Sequence, residues 1–202
     1  MSSTIRRKKE KEVMKSTILE AAIKIIIEEG YDKLSMRKIA NVIDYTPTTI
    51  YSYYKDKAQI IDDISKQISD NVINNVKVAL EENKEDSPEQ QLILAFKVFL
   101  YSITDNAQMG KAVMQSGTRA IFSSNDEPIS PENNGVLILS HILTDGQKQG
   151  LLRKVDNNTP WMLITALIGF AMNALENHLY LNENWHELVN TYTEMLVKGL
   201  LP

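Results

Sequence analysis

The chain is expected to be all-α, with about nine helices: a three-helix helix-turn-helix head followed by a larger helical bundle. Three observations carry that expectation. Helix-start signals recur along the whole sequence, each a capping residue followed by Pro or by Glu or Gln three positions on. Apolar residues recur at helical spacing, and no segment alternates as a strand between hairpin turns. The stretch Ser35 to Lys57 reads as two short helices joined by a tight turn.

The elements follow in order. Residues 13–29 place Ile18, Ala22, Ile25 and Ile26 on one stripe, and Gly30 stops the helix. Ser35 caps a second helix near 35–42, with Leu34 and Ile39 at the spacing of a hydrophobic staple. Thr46 caps a third near 47–53, with Pro47 at its first position, and Tyr45 and Ile50 repeat the staple spacing. Asp56 with Gln59 opens a long helix over roughly 57–82. Ser87-Pro88-Glu89-Gln90 combines cap, proline and reciprocal Gln. Ser130-Pro131, Thr159-Pro160 and Asn184 with Glu187 mark three more starts. Gly110 and Gly150 are candidate stops, and SSNDEP at 123–128 is a loop.

The run Trp161 to Met172 is the most apolar part of the chain. It is too short to span a bilayer, and Asn173, Glu176 and Asn177 close it. It serves either as a central core helix or as a face for a second subunit, with Ala166, Gly169 and Ala174 permitting close approach. The final helix, 185–200, carries Leu188, Tyr192, Met195, Leu196 and Gly199 at helical spacing and supplies a second such face. Two helices per subunit would make a four-helix homodimer interface through residues 160–200.

Composition bounds the function. With 202 residues the chain can bury a real core, and 43% hydrophobic with 24% charged is ordinary for a globular protein. There is no cysteine, which removes disulfides, thiolate nucleophiles and Cys-based zinc sites and suits the cytoplasm, the expected location. The basic N-terminus, MSSTIRRKKEKE, has no apolar core behind it and does not read as a secretory signal. No membrane role is expected. Charge is unevenly placed: residues 1–57 hold 12 Lys and Arg against 8 Asp and Glu, a net of +4. The remainder holds 10 against 18, a net of −8. A basic head on an acidic body is expected where only the head meets a polyanion.

The inventory of 35–57 suits DNA. Pro47 fixes the backbone at the start of the third helix, where its missing N–H costs nothing. Thr48 and Thr49 are short enough to bring the backbone close to base edges, and their hydroxyls and methyls can both read bases. Ser52 can do the same, with Tyr53 as a further candidate. Tyr51 and Tyr53 can reach phosphates on either side of a groove. Lys55 and Lys57 add charge, Lys57 at the N-terminal end of the fourth helix. Ser35 and Arg37 can hold the opposite backbone. Thr46 is a cap first and a contact second. Sequence preference should rest mainly on Pro47, Thr48 and Ser52. Against this, Tyr51 and Tyr54 could bridge the first and fourth helices as core; Tyr54 is assigned to the core, and Tyr51 suits either role.

Residues 18–61 resemble the DNA-binding domain of the tetracycline-repressor (TetR) family of bacterial regulators. The resemblance rests on ILEAAIKIIIEEGYDKLSMRKIA and on TPTTIYSYYKDKAQII, about a fifth of the chain. Two departures stand out. The family pattern usually has Gly in the turn where this chain has Asp44, and Asp tolerates left-handed backbone better than most residues. Tyr51-Ser52-Tyr53-Tyr54 replaces the commoner Tyr-x-His-Phe, and Tyr53 should keep a phosphate contact.

The resemblance implies a DNA-binding domain over 1–56 and an effector-binding and dimerisation domain over 57–202. It implies a homodimer whose recognition helices enter successive major grooves of a palindromic operator in double-stranded DNA, roughly 34–36 Å apart. It further implies a small effector held between the fourth and eighth helices, whose binding changes the spacing of the heads and releases the DNA. Repression is the expected output.

For the effector, residues 88–181 offer Phe96, Phe99, Met114, Trp161 and Phe170 as apolar lining, with Arg119 and Asn173 to orient a mainly apolar or amphipathic ligand. Core packing is the commoner role for such residues. The alternatives are a regulator controlled by a protein partner or by no effector at all, and a helical enzyme. Nothing favours the enzyme. The three histidines, His141, His178 and His186, have no metal-ligand spacing, and there is no phosphate loop or nucleophile elbow. No cofactor or metal is expected.

Overall fold

A computed structural model describes residues 3–105, 107–115 and 135–202. The expected helix start at Ser130-Pro131, the loop at 123–128 and Arg119 lie outside the described residues, as do the side chains of Met114 and Gln115. The described residues are all-helical: α1 (Ser3–Glu29), α2 (Met36–Val42), α3 (Pro47–Tyr51), α4 (Lys57–Glu82), α5 (Pro88–Thr104), α6 (Ala107–Gln115), α7 (Gly135–Lys148), α8 (Thr159–Glu176) and α9 (Trp185–Lys198). They fall into two compact units, one within 1–68 and 108–122, the other within 69–107 and 123–202.

The first unit is built on the expected stripe. Ile18, Ala22, Ile25 and Ile26 of α1 are all buried, with Leu34, Ile39, Ala40, Ile50 and Tyr54 packed into the same core. Ile60, Ile61 and Ile64 of α4 close it. Gly30 ends α1 with φ 92, a left-handed value that only glycine adopts without strain. A short 3-10 turn, Tyr31–Lys33, leads on to α2, and Lys38 of α2 pairs with Glu29 at the end of α1. α1 starts at Ser3, ten residues before the expected position, because residues 3–12 contain no Gly or Pro and are rich in Arg, Lys and Glu.

The turn between α2 and α3 holds Asp44 at φ 56, the left-handed backbone its sequence position demanded. Held there, a non-glycine residue carries strain. Asp44→Gly should therefore stabilise the unit by about 0.5–1 kcal/mol, read as a raised midpoint in thermal or urea unfolding. A lowered midpoint would show that the Asp44 side chain contributes more than its backbone costs.

Beyond Tyr51 the chain tightens. The N–H groups of Tyr53 and Tyr54 both donate to the Ile50 carbonyl, at 3.0 Å each, so α3 is shorter than the expected 47–53. Asp56 caps α4 through the Gln59 N–H, as expected, but the Gln59 side chain returns to the Lys55 N–H. Gly110, expected as a stop, lies buried inside α6.

In the second unit α5 occupies the centre, packed by α7, α8 and α9. Its start is the full capping box at Ser87 and Gln90, with Pro88 in the first turn. Leu92, Ala95, Phe96, Leu100 and Ile103 are buried along it. Gly146 of α7 permits a close approach: a Cβ there would lie 2.6 Å from Leu152 Cγ and 3.0 Å from Pro88 Cβ. Gly150, at φ 73, follows α7 as the expected stop.

The apolar run 161–172 is therefore not the central helix. α8 buries Leu163, Leu167, Ile168, Ala171, Ala174 and Leu175, and leaves Trp161, Met162, Gly169 and Met172 exposed on the other side. Its N-cap is Asn158, one residue before the expected Thr159, with no side-chain cap bond. Asn184 likewise precedes α9 without one, so the expected box with Glu187 does not form. No helix among the described residues is long and apolar enough to cross a membrane.

Candidate nucleic-acid interface

The surface of α2, the turn and α3 is polar over an apolar base. Ile39, Ala40 and Ile50 are fully buried beneath it. Ser35, Arg37, Thr46, Thr48, Tyr51, Ser52 and Lys55 are exposed, while Pro47, Thr49, Tyr53 and Lys57 are half-buried.

Several of these side chains are already engaged locally. The Ser35 hydroxyl accepts from the Lys38 N–H at 3.2 Å and caps α2. The Thr46 hydroxyl accepts from the Thr49 N–H at 3.2 Å and lies 3.0 Å from the Thr49 hydroxyl. Ser52 donates its hydroxyl to the Thr48 carbonyl at 3.1 Å. These bonds satisfy amides and carbonyls at helix ends that a short helix cannot pair internally. Thr48 and Tyr51 stand outward, Tyr51 at 56% exposed, so the core role weighed for Tyr51 is not the one it takes. Tyr53 packs its ring against the core cluster.

Lys57 is more constrained than its sequence position suggests. Its ammonium donates to the Tyr31 carbonyl at 3.3 Å and sits 3.8 Å over the centre of the Tyr31 ring. That cation–π contact ties the start of α4 to the 3-10 turn that follows α1. Tyr54, assigned to the core, is 1% exposed and donates its hydroxyl to Asp63 Oδ2 at 2.9 Å. Burial first, and that carboxylate second, push its hydroxyl well above the ordinary tyrosine range, so it stays a donor. Lys15 of α1 lies 3.4 Å from the same carboxylate oxygen and 4.7 Å from the Tyr54 ring centre.

Tyr45 was missed as a candidate contact. Its spacing to Ile50 reads as a staple, which would bury it, yet it is 47% exposed at the turn beside Thr46. Its N–H is held by the Ala40 carbonyl at 2.9 Å, so the backbone is fixed while the ring faces out.

The residues named for an effector do not share one environment. Phe96 is fully buried in the centre of its unit, and Phe99 is half-buried. Phe170 stacks between α8 and α9, 4.0 Å from the ring of Tyr192 and 5.8 Å from that of Trp185. Trp161 and Asn173 are exposed on α8. An all-apolar helix conceals which face turns inward, and the sequence could not separate these residues.

The arrangement presents hydroxyls, an Arg and a Lys around a five-residue helix held from below by a single buried Ile. That is chemistry for hydrogen bonding base edges and phosphates. Comparison with known proteins agrees. Residues 18–64 match the bacterial regulatory proteins of the tetR family. Over 187 residues the chain is 25% identical to the fatty acid metabolism regulator protein of Bacillus subtilis (strain 168), covering 91% of this chain and 93% of that one. Solved structures share its fold, among them the two that follow. The fatty acid degradation regulator FadR from Bacillus halodurans is 15% identical, with a TM-score of 0.65 and 91% and 94% of the chains covered. A TetR family transcription regulator from Marinobacter aquaeolei VT8 is 17% identical, with a TM-score of 0.63 and 97% and 98% covered. Over residues 18–64, then, this chain is similar to the tetR family of bacterial regulatory proteins, in the segment that the sequence resemblance picked out.

Proposed function

We propose that this regulator binds a palindromic operator in double-stranded DNA as a homodimer and leaves it when a small apolar or amphipathic effector binds, acting as a cytoplasmic repressor. Residues 1–56 read the DNA, and residues 57–202 hold the effector and the partner subunit. The observation that carries the DNA reading is the outward polar set Ser35, Arg37, Thr46, Thr48, Tyr51, Ser52 and Lys55 above buried Ile39, Ala40 and Ile50. Phosphate contacts from Ser35, Arg37, Tyr51, Tyr53, Lys55 and Lys57 position the head, and Pro47, Thr48 and Ser52 read bases, with Thr49 beside them. Tyr45 joins the phosphate contacts.

The relative in Bacillus subtilis is named for regulating fatty acid metabolism, which favours a fatty acid or a derivative of one as the effector. An acyl chain suits a helical unit whose interior is Leu, Ile, Ala and Phe. The homodimer is supported by the exposed apolar side chains on the two last helices, Trp161, Met162 and Met172 on α8 and Met195 on α9.

The experiment is selection of bound sequences from random duplex DNA, with the wild type and with Thr48→Ala. The wild type should select a palindrome. Thr48→Ala should relax preference at one base pair per half-site by about tenfold, the scale of one lost base contact, with an unchanged unfolding midpoint. If the variant selects the wild-type sequence, Thr48 does not read bases. If the wild type selects nothing, the DNA reading fails.

A further inference from the structure

α1 begins well before the first side chain it fully buries. Residues 5–13 are all exposed, Ile5 and Val13 at 59% each, and Ile18 is the first of its residues in the core. Residues 5–12 carry Arg6, Arg7, Lys8, Lys9 and Lys11 against Glu10 and Glu12, a net of +3. Those cations sit at the wrong end of a helix. The N-terminal end carries the positive half of the helix dipole and favours anions, yet the first turn of α1 holds no acidic residue. These turns gain nothing from packing and are opposed by their own dipole, so an external polyanion would stabilise them.

The cations are also arranged. Residues four apart in a helix lie one above another. Arg7, Lys11 and Lys15 therefore form one stripe, with Lys8 beside it. Arg6 and Glu10 lie on another face and pair there at 3.4 Å. Lys15 shows what the stripe faces: its ammonium lies against Asp63 and over the ring of Tyr54, three residues beyond the end of α3. The face of α1 that meets Tyr54 and Asp63, just past the recognition helix, thus continues outward through Lys11, Lys8 and Arg7. At about 1.5 Å per residue, Arg7 lies about 12 Å further along the axis.

The geometry points to this stripe as a second, sequence-independent DNA contact, in which Arg7, Lys8 and Lys11 hold backbone phosphates flanking the base pairs that α3 reads. The assignment rests on the DNA-binding reading above. It extends the footprint without adding sequence preference, since phosphates are the same at every base pair.

The test uses the full chain carrying Arg7→Gln, Lys8→Gln and Lys11→Gln together, on the operator selected by the wild type. Affinity should fall at least about tenfold at moderate salt, and the plot of log affinity against log salt should flatten by about 0.9 per lost contact. The selected sequence should not change. An off-stripe variant, Arg6→Gln with Lys9→Gln, should keep the wild-type slope. Arg7, Lys8 and Lys11 are all solvent-exposed, so the unfolding midpoint should hold, and it is measured alongside. An unaltered slope in the stripe variant overturns the assignment, as does equal flattening in the off-stripe variant. Loss of binding to anionic vesicles with an unaltered slope would assign the stripe to a lipid surface and overturn it too. A wild type that selects no sequence overturns this assignment together with the DNA-binding reading, whereas normal selection with an unaltered slope overturns the stripe alone.

Discussion

Ile50→Ala is expected to destabilise the DNA-binding unit by about 2–5 kcal/mol and to abolish operator binding. Ile50 is fully buried and is the only buried residue of α3. A helix of five residues cannot hold itself in water, so its position depends on that side chain and on the Thr46 cap. Truncation removes apolar contact area and leaves a cavity beneath the reading surface. Thermal unfolding with and without DNA measures both consequences. Thr48→Ala, on the outer side of the same helix, should leave the midpoint in place and change only sequence preference. An unchanged midpoint in Ile50→Ala would mean that α3 is not held from below.

The second large effect concerns the outward faces of α8 and α9. Met162→Glu with Met195→Glu is expected to convert the dimer to a monomer and to weaken operator binding by about 10²–10⁴, the scale of lost bivalency. Met162 is 67% exposed and Met195 60% exposed, so the substitutions should cost each isolated subunit little, within about 0.5 kcal/mol. Light scattering reads the mass directly: one chain is 22.9 kDa. A variant that stays dimeric at micromolar concentration would move the interface elsewhere. Buried Ala174, named for close approach between subunits, packs within its own chain, whereas Gly169 is exposed with nothing near a Cβ placed there.

Much of the fold was legible because helix grammar is local. The stripe of Ile18, Ala22, Ile25 and Ile26, the capping box at Ser87 and the stops at Gly30 and Gly150 each depend on residues within a turn or two of one another. Where the reading failed, the deciding partner lay elsewhere. Gly110 reads as a stop but is buried within α6. Tyr45 reads as half of a staple but remains exposed at the turn. Asn184 and Glu187 have the spacing of a box, yet spacing does not compel the bond to form.

The candidate site divides in the same way. Thr46 as a cap, Pro47 in the first turn of α3 and the left-handed Asp44 could all be named from local chemistry. That Lys57 would lie against Tyr31, 26 residues away, could not. Nor could the meeting of Lys15, Tyr54 and Asp63, which draws α1, the end of the reading motif and α4 together.

By itself, then, the sequence determined the class of fold, the order and approximate limits of most helices, and the segment that matches the tetR family. Those properties follow from backbone propensity, capping and apolar periodicity, whose range is a few residues. Only the tertiary structure decided that α5 rather than α8 is the central helix, which face of α8 is left outward, and which way the cations of α1 point. Those outcomes depend on competition among several apolar faces for one limited interior, and burial is a property of the whole packed unit rather than of any single segment.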